Sequence, residues 1–170
     1  MASFGLVMNA IPSDPSDATN IFIQAGEGNL PFVQANLPAL GMNHADPNGY
    51  TCMHAASSYT CIAVLEWLVK NGADVNVKDE DGDTPLHHAE TQEAAAWLVA
   101  NGADHQVKNV EGMMPMQAKM EEQIAPTSVD YDSEDEEQSN ATALLGYFMT
   151  LSYDEAIKKG GEETKKIFIG

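Results

Sequence analysis

A phrase that returns after a fixed interval constrains this chain more than any other feature. Gly49-Tyr50-Thr51-Cys52-Met53-His54-Ala55 comes back as Gly82-Asp83-Thr84-Pro85-Leu86-His87-His88, with Thr51 matched by Thr84 and His54 by His87. A second phrase, Trp67-Leu68-Val69-Lys70-Asn71-Gly72-Ala73-Asp74, returns as Trp97-Leu98-Val99-Ala100-Asn101-Gly102-Ala103-Asp104, and each copy is followed by Val-Lys, at 77–78 and 107–108. Two phrases recurring in the same order define a repeat. A period of this size implies a solenoid, in which each unit is one supersecondary element that buries its apolar face only by stacking on its neighbours.

Each phrase also has a local meaning. Thr51 and Thr84 stand where a helix N-cap accepts an otherwise unpaired N–H, and Pro85 sits at a first helical position, where its missing N–H is harmless. A helix is therefore expected after each threonine. Ile62, Leu65, Leu68 and Val69 recur at helical spacing, and the run stops at Asn71-Gly72, a C-terminal signal. That is a second helix, and Trp67 and Trp97, which hold matching places in the two phrases, are expected in the core of successive copies of it. Residues 75–83 are polar and turn-rich, and Asn48-Gly49 and Asp81-Gly82 suit the positive φ of tight turns. The unit reads as helix, turn, helix, hairpin.

These residues resemble the ankyrin repeat, whose Thr-Pro-Leu-His is intact at Thr84 to His87 and whose Gly-Ala-Asp stands at 72–74 and 102–104. The resemblance extends back to Ile21–Leu30, which looks like a first helix, with Asn43 lying one period before Asn76. It extends forward to a truncated unit at Gly112–Gln117, where Met114 and Gln117 replace the signature Thr and His, so this unit reads as a cap. The resemblance implies an all-α ankyrin-repeat solenoid of about three to four units over residues 17–124. Before it lies an N-terminal segment, 1–16, read as flexible; after it come an acidic linker, 125–139, read as disordered, and a helical tail, 140–170. The interval from Thr84 to Gly102 is three positions shorter than that from Thr51 to Gly72, so the third unit has lost residues, most simply from the bend between its helices.

Charge narrows the function. Against 26 acids the chain has eight lysines and no arginine, a formal charge of −18. Nucleic-acid binding draws on Lys and Arg, and an anionic membrane would repel such a chain, so neither is expected as a partner. The physical complement is a basic protein, unless the charge serves only solubility. Residues 125–137 alone carry six acids, and within them Ser133 precedes Glu134, Asp135 and Glu136, a resemblance to acid-directed kinase sites. Beyond the linker Ala141, Leu144, Leu145, Phe148 and Leu151 form one helical stripe, and Ser152-Tyr153-Asp154-Glu155 has capping-box spacing for a second short helix. The striped helix either docks on the end of the stack or acts as a detachable peptide. Cys52 and Cys61, too few for a disulfide framework, read as buried free thiols. Met1–Ile11 has no positive residue before its apolar run, which makes it a poor signal peptide, and no apolar stretch reaches the roughly 20 residues of a membrane span. A cytoplasmic or nuclear monomer is the expectation.

Catalytic chemistry finds no foothold. Cys52, His54 and Cys61 do not have zinc-site spacing, and His87 and His88 are adjacent and lie on different helical faces. If Gly82 were the sixth position of a calcium loop, Val77 and His88 would stand where the first and twelfth positions need Asp and Glu. Nucleophile elbows, phosphate loops and dinucleotide fingerprints are missing. The reading is a non-enzyme without metal or cofactor. By resemblance, His54 and His87 hydrogen-bond within and between units. The resemblance further implies a protein-binding adaptor whose hairpin fingers and concave face contact a partner through Tyr50, Ser58, Tyr59, Lys78, Glu80, Asp81, Asp83, His88, Glu111 and Met113. In layout the chain is also similar to small ankyrin proteins with acidic tails that escort a basic client such as a new ribosomal protein, and that is the alternative. A third possibility is a passive substrate or inhibitor, since Asn76 resembles the asparagines of ankyrin repeats that an asparaginyl hydroxylase modifies.

Overall fold

The computed structural model describes residues 20–124 and 142–152. The N-terminal 1–16, the linker 125–139 with Ser133, Ala141, and the short helix expected after Ser152 fall outside the described residues. Helices α1 (Ile21–Gly26), α2 (Leu30–Leu40), α3 (Cys52–Ser58), α4 (Ile62–Lys70), α5 (Gln92–Ala100) and α6 (Pro115–Ile124) follow in order, with α7 over 142–152. Extended pairing among the described residues is limited to one isolated antiparallel bridge, Ala45 to Thr51.

Side-chain caps set the starts. Asn20, Asn29, Thr51 and Thr91 each accept a hydrogen bond from a backbone N–H of the following turn, which satisfies a donor the helix itself cannot. Small residues then let the elements close up. Ala25, Ala55, Ala56, Ala89, Ala94 and Ala95 are buried between larger neighbours Ile21, Val33, Leu37, Met53, Leu65, Leu68, Leu86 and Leu98. The core is thus a continuous seam that runs through all the units.

The third unit is shorter than the sequence suggests. Thr84 is followed by a single turn over 85–88 and not by a helix, closed by His87 N–H to Thr84 O at 2.8 Å. Ten positions separate Thr51 from the next N-cap residue, Cys61, but only seven separate Thr84 from its counterpart Thr91. The missing residues come out of the first helix itself, not out of the bend. What remains is too short to propagate a helix, yet it keeps Leu86 fully buried.

Trp67 and Trp97 also differ from expectation, since both are half-buried and pack against the outside of the core. The fully buried residues of their helices include Leu68 and Leu98. A tryptophan is large enough to cover a seam without entering it. Cys52 is buried as expected, whereas Cys61 is only half-buried, its thiol donating to Gly26 O at 3.0 Å.

The fingers repeat one design. Asp46 Oδ1 accepts from the N–H of Asn48 and Tyr50, Asp79 Oδ1 from Asp81 and Asp83, and Asn109 Oδ1 from Glu111 and Met113. Successive tips are then tied by backbone bonds, Glu80 N–H to Asn48 O and Val110 N–H to Asp81 O, each 2.9 Å. Gly49 is required at this joint. Its φ is +77°, and a Cβ there would stand 2.9 Å from Asp79 Cα.

At the far end α7 packs its stripe inward. Leu144 and Phe148 are each 2% exposed and belong to the core cluster, with Met116, Tyr147 and Leu151 packed against it. Phe148 and Ser152 share a cavity of about 170 Å³ with His105, Gln106, Met114 and Met116, which places α7 beside the last finger and the start of α6. No helix among the described residues is long and apolar enough to cross a membrane.

Candidate functional site

The first helices and the fingers form one face, and the histidines of the repeated phrase fix its spacing. Thr51 N–H donates to His54 Nδ1 at 3.1 Å, and Thr84 N–H to His87 Nδ1 at 3.1 Å. A backbone N–H can only donate, so each Nδ1 is the acceptor and each Nε2 carries the proton. Those protons go to the next unit, His54 Nε2–H to Asp83 O and His87 Nε2–H to Met113 O, both at 3.2 Å. Burial holds the two rings neutral, pushing His54 down to about 4 and lowering His87 as well. These bonds within and between units are the role the resemblance implied.

Tyr50 stands at the centre of the face. Its ring stacks on His54 at 5.3 Å, meets His88 edge-on at 5.4 Å and meets Phe22 edge-on at 6.5 Å, while its hydroxyl lies 3.5 Å from Ser58 Oγ. Burial raises the Tyr50 phenol above its ordinary value. Beside it a cleft of about 520 Å³ opens between α1 and α3, lined by Phe22, Ile23, Gly26, Glu27, Tyr50, Ala55 and Tyr59. That volume lies within the range of ligand-binding clefts.

The contact residues expected from the sequence divide into three groups. Tyr50, Ser58, Tyr59 and His88 gather at or next to this cleft. Lys78, Glu80, Asp81 and Glu111 are exposed on successive fingers, where Lys78 Nζ donates to Lys108 O at 3.1 Å. Asp83 and Met113 are half-buried, Asp83 accepting from Asn109 Nδ2 at 2.9 Å and Met113 giving its carbonyl to His87. Phe22, Ile23 and Glu27, which line the cleft from the first unit, have no part in the repeated phrases.

Stacking also brings together His54, Asp79 and His88, whose ligand-type atoms all lie within 4.8 Å. Sequence spacing hides this group because it spans two units. His88 Nε2 donates to Asp79 Oδ2 at 2.9 Å. His54 has no lone pair to offer an ion while its Nδ1 accepts from Thr51 and its Nε2–H donates to Asp83. Metal ligation there would break the cap of α3.

Asn76 is committed to its neighbours. Its Nδ2 donates to Gly102 O at 3.0 Å and its Oδ1 accepts from Asp104 N–H at 2.9 Å, as Asn43 Oδ1 accepts from Asp74 N–H one unit earlier. An enzyme acting on Asn76 would first have to pull it away from the following unit.

Helix pairs stacked through a common seam, with hairpin fingers along one edge, define a repeat scaffold of the kind that presents a surface to other proteins. A family model described as ankyrin repeats (3 copies) matches residues 20–109, and the chain belongs to the ankyrin-repeat family. It is 44% identical over 77 residues, 45% of its length, to Ankyrin repeat-containing protein P1E11.10 of Schizosaccharomyces pombe. It is 34% identical over 79 residues, again 45% of its length, to the Probable 26S proteasome regulatory subunit p28 of Saccharomyces cerevisiae. A 48-residue stretch, 28% of the chain, is 46% identical to Protein phosphatase 1 regulatory subunit 12A of Mus musculus. These matches cover 37%, 35% and 5% of the respective relatives, so the chain spans only part of each.

Proposed function

We propose that this protein binds a basic protein partner through its fingers and concave face, as an adaptor of the cytoplasm or nucleus without catalytic activity of its own. Ankyrin repeats mediate protein–protein interaction, and two of the relatives are named as regulatory subunits. The observation that carries the choice of a basic partner is the placement of charge. Glu80, Asp81 and Glu111 stand exposed on successive finger tips of a chain whose formal charge is −18. Carboxylates aligned along one edge steer a cationic surface toward the face and disfavour acidic competitors. The linker acids between Asp130 and Glu137 favour a second reading, an escort for a newly made basic client, because a long anionic segment engages a basic chain by charge alone.

Salt distinguishes the two. Affinity for fluorescein-labelled octa-lysine, followed by anisotropy between about 50 and 300 mM salt, should fall by more than about tenfold if charge dominates, and less if aromatic anchors share the energy. Replacing Glu80, Asp81 and Glu111 together by Gln, Asn and Gln should weaken that binding about fivefold at the lower salt. Unchanged affinity in this variant would mean that the finger acids only solvate the turn.

A further inference from the structure

We propose that the cleft between α1 and α3 is a subsite for one lysine or arginine side chain of the partner, held against the aromatic rings that line it with Glu27 as counter-charge. The inference rests on the basic-partner reading and adds to it the place where a single cation is recognised.

The first support is Tyr59, a large aromatic that is 72% exposed yet held in place. Its ring lies on α1 at Gly26, where a Cβ would stand 2.8 Å from Tyr59 Cδ2 and displace it. The absence of a side chain at 26 lets the ring rest on the backbone and leaves its other face to solvent. A ring ordered before binding loses little entropy when a ligand arrives.

The second is the opposite wall. Tyr50 is fixed by its stack on His54 and its contact with Ser58, and Phe22 meets Tyr50 edge-to-face. Both rings line the cleft along with Tyr59, and Ala55 keeps part of its surface small and apolar. At about 520 Å³ the cleft exceeds one side chain, so it holds a short stretch of partner with the cation among the rings.

The third is electrostatic. Ring faces carry the negative lobe of the aromatic quadrupole, and Glu27 lines the same cleft. Asp46 and Asp79 act on the Tyr50 phenol in the same sense, each disfavouring a further negative charge there. His54, against which Tyr50 stacks, is held neutral by burial and places no opposing positive charge beneath it. An aliphatic side chain would fill the space but would meet none of this field.

The test uses the full chain, followed by NMR, with N-acetyl-arginine amide and its neutral isostere N-acetyl-citrulline amide as probes. The arginine probe should shift the ring resonances of Phe22, Tyr50 and Tyr59 and bind about fivefold more tightly than the citrulline probe, the size of a cation–π contact at an exposed site. Tyr59→Phe, which keeps the ring face, should retain this binding, and Tyr59→Leu should weaken it about fivefold. Tyr59 is exposed, so both variants should fold. Equal binding of the two probes, or full binding by Tyr59→Leu, would overturn the inference. Octa-lysine separates that failure from failure of the underlying reading. If octa-lysine still binds, the basic-partner reading stands and only the cation subsite falls. If the arginine probe behaves as expected while octa-lysine does not bind, the subsite stands and the basic-partner reading falls.

Discussion

Phe148→Ala should lower the unfolding free energy by about 3 kcal/mol, a shift of roughly 10–20 °C in the thermal midpoint for a domain of this size. Phe148 is 2% exposed and lies on α7, whose only other fully enclosed residue among those described is Leu144. A repeat stack cannot leave its last unit bare without exposing apolar surface, and α6 alone offers only a single helix for that purpose. The side chain borders a cavity of about 170 Å³ beside Met114 and Met116, so removing the ring enlarges a void that is already present. Met149→Ala is the matched control, since Met149 is 58% exposed on the same helix and should be nearly neutral. Melts of the two variants beside the parent decide the matter. An unchanged melt for Phe148→Ala would mean that α7 leaves the stack and is free to engage a partner.

Stability should also fall on mild acidification, and His54 should account for about 3 kcal/mol of the loss between pH 6.5 and pH 4. The imidazole is fully buried, its folded value pushed down to about 4 from an ordinary 6.5, with burial the main cause and the neighbouring His88 next. Below pH 6.5 the unfolded chain takes up a proton that the folded chain refuses, which favours unfolding. The contribution is therefore complete above pH 6.5, shrinks as pH falls, and is gone once the folded ring also protonates near pH 4. Asp79 and Asp83 oppose the shift, and the bond to Asp83 O favours the protonated ring, yet burial outweighs them. Urea unfolding at pH 7, 5.5 and 4.5 measures the slope, and the His54 ring resonances report the proton. A His54 that titrates near 6 in the folded protein would remove the effect.

The histidines were legible because their role is local. A threonine and a histidine three positions apart meet in any helical first turn, and the repeat period places the next unit's carbonyl beyond Nε2. The glycines of the fingers were legible for the same reason, since a tight turn demands positive φ wherever it occurs. The shortened third unit was not, because spacing counts missing residues without saying which element lost them. Hydrophobicity alone likewise could not tell Trp67, which covers the seam, from Leu68, which fills it. The candidate site was only half visible. Tyr50, Ser58 and Tyr59 lie in a recognisable unit, but the wall formed by Phe22, Ile23 and Glu27 belongs to a first unit without the repeated phrase. That Tyr59 rests on Gly26, in the preceding unit, follows from stacking geometry, which no single-unit pattern carries.

The face built from α1, α3 and the fingers should receive a basic protein. Photo-crosslinking measures this directly, with benzoylphenylalanine placed at Tyr59 on that face or at Ala63, exposed on α4, and the full-length protein incubated in native extract. A covalent adduct is expected from position 59 to a protein of basic composition, formed more weakly as salt is raised and not formed from position 63. Equal adducts from the two positions, or an adduct from 59 to an acidic protein that salt does not affect, would contradict it.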